Sequence, residues 1–139
     1  YLASACVYPV NASQPIKESN LLHGTLEPTN EPYAIAKIAG IKMCESMNRQ
    51  FSTDFRCLIP TNLYGKNDNF SDQNSHVIPA LMKRLHEAKI KEEPFIRIWG
   101  SGKPTRDFMY VSDLVACIYQ IFHLGMLSNT GRTALTIFL

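Results

Sequence analysis

Short apolar runs and helix-patterned stretches alternate along this chain, and that alternation restricts its fold more than any other feature. Residues 1–8, YLASACVY, are apolar or small and predict a buried strand. Residues 9–31 are rich in Pro, Asn, Ser, Thr and Glu without a period and predict a long loop, a kind of segment that usually carries function. Asn30-Glu31-Pro32 supplies cap-like residues and a proline suited to the first helical turn. The helix predicted from there to about Phe51 places Ala36, Ala39, Gly40, Met43, Cys44 and Met47 on one stripe. Asp54 to Pro60, DFRCLIP, predicts a second buried strand, and Thr61 to Ser75 a polar loop.

A second helix is expected after His76 over VIPALMKRLHEAK, with Leu81, Leu85 and Ala88 on its apolar side. Phe95 to Trp99 alternates as a strand, Gly100-Ser101-Gly102 makes a turn, and Arg106 to Val111 suits another strand. Ser112 and Asp113 open a last helix, LVACIYQIFHLG, expected to stop at Gly125. Strand, helix, strand, helix, strand, strand, helix is the order of an α/β parallel sheet with helices on its faces.

Composition removes several classes of function. A net charge of +2 with no basic run argues against nucleic acid, and no apolar stretch has the length of a membrane span. No secretory signal is visible. The four cysteines, Cys6, Cys44, Cys57 and Cys117, contain no CxxC pair. Cys44, Cys57 and Cys117 fall in helix-like or strand-like patterns and are expected to be core thiols of a reducing compartment, so a cytoplasmic location is expected, with no metal site.

The chemistry concentrates at Tyr33-Ala34-Ile35-Ala36-Lys37. Tyr33 and Lys37 are one helical turn apart and share a face. A phenol unaided titrates near pH 10, and a nearby ammonium favours its ionised form, so this spacing suits proton transfer to a carbonyl oxygen. By itself YxxxK is a weak signal, since most such pairs decorate a surface. Ser4, in the run that ends Ser4-Ala5-Cys6-Val7-Tyr8-Pro9, supplies a hydroxyl that could polarise the same carbonyl. Ile59-Pro60-Thr61-Asn62-Leu63-Tyr64-Gly65 follows a strand's carboxyl end, where open α/β sheets bind ligands. Taken singly, Cys6 reads as a small buried thiol, His76 as a helix cap, Arg84 and Arg106 as solvated charges and Trp99 as a core aromatic.

SxCxYP, TLEPTNEPYAIAKIAGIKMCES, PTNLYG, NSHVIPALMKR and WGSGKPTRDF, in this order and spacing, closely resemble the GDP-L-fucose synthase family of extended short-chain dehydrogenases/reductases. The likeness runs from Tyr1 to about Leu124. It implies epimerisation at carbons 3 and 5 of GDP-4-keto-6-deoxy-D-mannose and reduction at carbon 4 with NADPH, giving GDP-L-fucose and NADP. By the same resemblance Tyr33 protonates the sugar oxygen, Lys37 holds the cofactor ribose and Ser4 polarises the ketone. Cys6 and His76 become the acid/base pair of the epimerisations, thiol and imidazole being the side chains that titrate nearest neutrality. Leu2, Ala3, Ser4 and Ala5, with Pro60, Thr61, Asn62 and Leu63, match segments lining the cofactor, which His76 also touches. Arg84, Trp99 and Arg106 match positions that hold the GDP-sugar. The Tyr33 to Phe51 helix matches the one that pairs family subunits into homodimers.

The resemblance implies part of a Rossmann-like parallel sheet in residues 1–75, part of a smaller substrate-binding domain in 76–124 and a divergent tail in 125–139. No G-x-x-G-x-x-G phosphate loop occurs in the chain, so the N-terminal βαβ half of the family fold is lacking. The chain is therefore expected to be a fragment that is inactive alone. Two other readings remain at this stage. A UDP-sugar 4-epimerase or 4,6-dehydratase would share Ser4 and YxxxK but not the pairing of Cys6 with His76. A non-catalytic dimerising module would bind no cofactor.

Overall fold

A computed structural model describes residues 1–127 and 136–138. Its regular elements are α1 (Glu31–Phe51), β1 (Cys57–Ile59), β2 (Asn62–Tyr64), α2 (Val77–Ile90), β3 (Phe108–Tyr110), α3 (Val111–Leu127) and β4 (Thr136–Phe138). Short 3-10 turns occupy Ala5–Val7 and Glu18–Asn20. All strand pairing is parallel, as the alternation requires: β1 lies beside β4 with Leu58 opposite Ile137, and β2 beside β3 with Leu63 opposite Met109. The chain divides into two compact units, residues 1–61 with 117–139 and residues 62–116. Among the described residues no helix is long and apolar enough to cross a membrane.

In the first unit, α1 begins where the sequence places it. Pro32 sits in its first turn and Glu31 puts a carboxylate near the helix N-terminus, where the dipole favours it. Asn30 makes no side-chain cap, and its own N–H donates instead to the Glu27 carboxylate at 2.9 Å. The helix closes at Ser52, which takes the left-handed conformation at φ 54°. The face it buries is Ala34, Ile38, Ile41 and Asn48. That differs from the expected stripe: Ala36, Ala39 and Met43 are exposed, and Gly40, Cys44 and Met47 only partly covered. The β-branched Ile38 and Ile41, rotated about one residue from the small-residue stripe, win the core because they remove more apolar area from water.

The core joins Ile38 and Ile41 to Ala3, Val7, Tyr8, Cys57 and Ile59, with Ile16, Leu21, Leu26 and Cys44 packed against it. Tyr1 to Ala3 runs parallel to β1. The Tyr1 nitrogen donates to Arg56 O, Leu58 N to Tyr1 O and Ala3 N to Leu58 O. The strand expected over 1–8 stops there. The Ser4 hydroxyl accepts from Cys6 N–H and caps a 3-10 turn, which turns the chain out of the ladder.

In the second unit, α2 covers the expected stretch. Ala88 is buried and Leu81 partly so, while Leu85 is 55% exposed. Other expectations fail. Residues 62–64, expected as polar loop, form β2, whose Asn62 N–H and side-chain amide both reach Asp107 O. Phe95 to Trp99 alternates but is not a strand: among the described residues it meets no neighbouring edge, and the Arg97 carbonyl is taken by the Arg84 guanidinium. Further along, α3 passes through Gly125 to Leu127 instead of stopping at the glycine. Of the tail, residues 128–135 and Leu139 lie outside the described residues.

Candidate active site

In the constellation predicted from YxxxK, Lys37 is partly buried. Its ammonium donates to Leu2 O at 3.0 Å. It stands 5.6 Å from the centre of the Tyr33 ring, as one turn of α1 dictates, and 5.3 Å from the centre of the Tyr1 ring. Among the described residues it has no carboxylate partner, so its charge is balanced by one carbonyl and two aromatic faces. Tyr33 itself is 49% exposed, which leaves its hydroxyl accessible. An ammonium lodged against a strand end and beside an accessible phenol is the arrangement that proton transfer to a bound carbonyl needs.

Ser4 caps, and Cys6 lies within, the 3-10 turn that follows Leu2 and Ala3. The Ser4 oxygen accepts from Cys6 N–H at 3.4 Å, so its own O–H is left to donate elsewhere. Cys6 is a half-buried free thiol. Ala3 is buried between these groups and Ala5 exposed, and neither offers a side chain that would fill the space beside Lys37. Pro60 and Thr61 continue directly from the buried β1, Pro60 itself buried. The first unit therefore collects Leu2, Ala3, Ser4, Ala5, Cys6, Tyr33, Lys37, Pro60 and Thr61.

A cleft of about 380 Å³ in the same unit is lined by Tyr8, Glu18, His23, Ile41, Lys42 and Glu45 among others, and by none of the proposed catalytic residues. Burial, and then the charge of Glu18, pushes the Tyr8 phenol up to about 12, so it stays protonated there. Among the described residues no group of His, Cys, Asp and Glu could hold a metal.

The second unit holds the remaining candidates. Asn62 and Leu63 are the first two residues of β2. His76 occupies the N-cap of α2 in extended conformation, its carbonyl accepting from Ala80 N–H at 3.0 Å, but its imidazole makes no cap hydrogen bond. The side chain is exposed and uncommitted to the helix. Arg84, two turns into α2, lays its guanidinium over the Trp99 indole at 4.4 Å and reaches Arg97 O at 3.5 Å. Trp99 is 73% exposed, a platform and not the core aromatic its type suggests. Arg106 is not brought to this pair, its Nη1 donating to Thr105 O.

Sequence reasoning missed Tyr1 and the meaning of Gly40. A glycine inside a helix costs about 1 kcal/mol and marks a close approach, a signal that was present. Here a Cβ on Gly40 would overlap the ring and hydroxyl of Tyr1.

Residues 1–130 match the profile of the NAD dependent epimerase/dehydratase family. The chain belongs to that family. Within it, the chain is 56% identical over 133 residues to GDP-L-fucose synthase of Escherichia coli strain K12, a match covering 94% of this chain and 41% of that protein. It is 58% identical over 120 residues to putative GDP-L-fucose synthase 2 of Arabidopsis thaliana, covering 86% and 37%. The crystal structure of a GDP-L-fucose synthetase from Naegleria fowleri bound to NADP superposes with a TM-score of 0.83 at 30% identity, covering 99% of this chain and 44% of that one. The fold class is therefore the expected Rossmann-type α/β, and the chain spans about two-fifths of the length of the curated relatives it matches.

Proposed function

We propose that the protein containing this chain converts GDP-4-keto-6-deoxy-D-mannose to GDP-L-fucose, by epimerisation at carbons 3 and 5 and NADPH-dependent reduction at carbon 4. The observation that carries this reading is the Lys37 ammonium, fixed 3.0 Å from Leu2 O beside Tyr33, in a chain 56% identical to a GDP-L-fucose synthase.

When bound, NADPH supplies the hydride. The residues present fit it: Lys37 is poised at a strand end, the adjacent Ala3, Ser4 and Ala5 are small, and Pro60 to Leu63 continue past β1. Lys37 holds the ribose hydroxyls and stabilises the negative charge that develops on the Tyr33 oxygen as its proton leaves for the sugar oxygen. The Ser4 O–H, free because the oxygen only accepts from Cys6 N–H, donates to the ketone and polarises it. Cys6 and His76 exchange protons at the two carbons beside the ketone, the exposed imidazole being free to do so. His76 also touches the cofactor. Arg84 and Arg106 bind the pyrophosphate and Trp99 packs on a ring of the GDP-sugar.

Residues 1–75 thus serve the cofactor and most of the proton chemistry, and residues 76–124 the GDP-sugar, with His76 at their start shared between the two. The exposed small-residue face of α1, with Ala36, Ala39 and Met43, supports a homodimer through this helix. A cytoplasmic setting fits the free thiols. In the full-length protein, Tyr33→Phe is expected to lower ketone reduction by at least about 100-fold while GDP-sugar binding stays within a few-fold. Parent-like NADPH oxidation by that variant would overturn the proposal.

A further inference from the structure

We infer that Tyr1, seated on Gly40, is a positioning residue that holds the Lys37 ammonium against Tyr33; this rests on the proton-donor reading of Tyr33 given above. Tyr1 is fixed at its backbone by β1, its nitrogen donating to Arg56 O at 2.6 Å and its carbonyl accepting from Leu58 N–H at 2.9 Å. From there its ring crosses to α1 and lies where a Cβ at position 40 would stand, so any other residue there would push the ring aside. Gly40 follows Lys37 by one turn and shares its face. The lysine ammonium accordingly stands 5.3 Å from the centre of the Tyr1 ring.

Lysine is a flexible four-carbon stem carrying a point charge, and nothing in its covalent structure fixes where the charge sits. In this protein three partners do so. Leu2 O takes one proton at 3.0 Å, the Tyr33 ring lies 5.6 Å away and the Tyr1 ring 5.3 Å away. Without Tyr1 the ammonium keeps only the Leu2 carbonyl and the more distant Tyr33 ring, and swings more readily into water. With it, the attraction between cation and ring face biases Lys37 toward the conformation that serves Tyr33. The only titratable or charged groups within these contacts are Tyr1, Tyr33 and Lys37, since no carboxylate pairs with Lys37 among the described residues.

The test uses the full-length protein and the variants Tyr1→Leu, Tyr1→Phe, Gly40→Ala and Tyr33→Phe. Tyr1→Leu is expected to lower ketone reduction near neutrality about threefold and to raise KM for NADPH by a similar factor. The loss should fall on reduction alone, with KM for the GDP-sugar and solvent deuterium entry at carbons 3 and 5 staying at parent values. Gly40→Ala displaces the ring and should change the reduction rate and NADPH KM in the same direction, whereas Tyr1→Phe keeps the ring and should restore the parent values. The ring-current shift of the Lys37 εCH2 protons, read by NMR, should disappear in Tyr1→Leu and persist in Tyr1→Phe. A Tyr1→Leu variant with a lowered melting point but the parent reduction rate, NADPH KM and Lys37 ring-current shifts would overturn the positioning role. If Tyr33→Phe still abolishes reduction in that case, the proton-donor reading stands and only Tyr1 is wrongly assigned. A fully active Tyr33→Phe would overturn both. Should Gly40→Ala fail to fold, the two Tyr1 variants decide the matter.

Discussion

Asn48 closes on both backbone groups of Phe55: its Nδ2 donates to Phe55 O at 2.7 Å and its Oδ1 accepts from Phe55 N–H at 2.8 Å. The same oxygen also accepts from Thr53 Oγ1 at 2.9 Å. The side chain thereby does for residues 53–55 what a neighbouring strand would do, fixing the return from α1 into β1. Asn48 is the buried polar residue of the described core, 8% exposed. Asn48→Ala strands the Phe55 groups and is expected to destabilise the folded protein by about 2–3 kcal/mol. Asn48→Asp keeps the acceptor but replaces the donor with a charge and should cost at least as much. A thermal melt checks both, and a melting point unchanged in Asn48→Ala would refute the bracing role. Catalysis per folded molecule should be unaffected.

Helices α1 and α2 and the alternation that makes the sheet parallel were legible because each rests on residues close in sequence. The Tyr33 and Lys37 pairing was legible for the same reason, one turn of helix. What failed was non-local. Phe95 to Trp99 has a strand's alternation, yet pairing depends on an edge the sequence cannot display. Asn62 to Tyr64 has a loop's composition but finds β3 forty-odd residues on, with Tyr64 packed on Tyr110. Which stripe of α1 turns inward was decided by Ile38 and Ile41, competing with a small-residue stripe of equal periodicity. Asn48 looks like a surface amide until the Phe55 backbone is placed beside it.

The stack of Arg84 on Trp99 carries the GDP-sugar assignment. Its guanidinium is oriented by the indole and by Arg97 O. Arg84→Lys keeps the charge but loses the planar fork and the stacking. It is expected to raise KM for the GDP-sugar about tenfold with little change in kcat, since it removes binding common to ground and transition states. Steady-state kinetics decides: an unchanged KM would remove Arg84 from the substrate contacts.

The roles proposed for Cys6 and His76 would separate the half-reactions. Cys6→Ala or His76→Ala in the full-length protein should block entry of solvent deuterium at carbons 3 and 5 of the sugar. Reduction should persist in some measure and yield an unepimerised 6-deoxy sugar, because Tyr33, Lys37 and Ser4 are intact. Mass spectrometry of the product in deuterated water reads the outcome. Label at both carbons at the parent rate, in either variant, would show that this pair is not the acid/base couple.

The last expectation concerns stability at alkaline pH. Cys57 is fully buried on β1, and burial, followed by the neighbouring Cys44 thiol, pushes it up to about 11 from an ordinary 9.0. Below about pH 9 the thiol keeps its proton in both folded and unfolded chains and its contribution to stability is intact. Between about pH 9 and 11 the unfolded chain ionises while the folded one does not, so the unfolded state gains and stability falls by about 2 kcal/mol. Above about pH 11 the folded thiol ionises as well and this loss is complete. Tyr8, raised to about 12, produces a similar fall at still higher pH, but it is present in any Cys57 variant and cancels in a comparison. Cys57→Ala should cost about 1 kcal/mol at neutral pH through the small cavity it leaves. Between pH 8.5 and 10.5, however, it should lose less stability than the parent, so the two curves converge. Melting points of both proteins across that range measure the convergence, and curves that stay parallel would show that the Cys57 thiol is not held protonated by its burial.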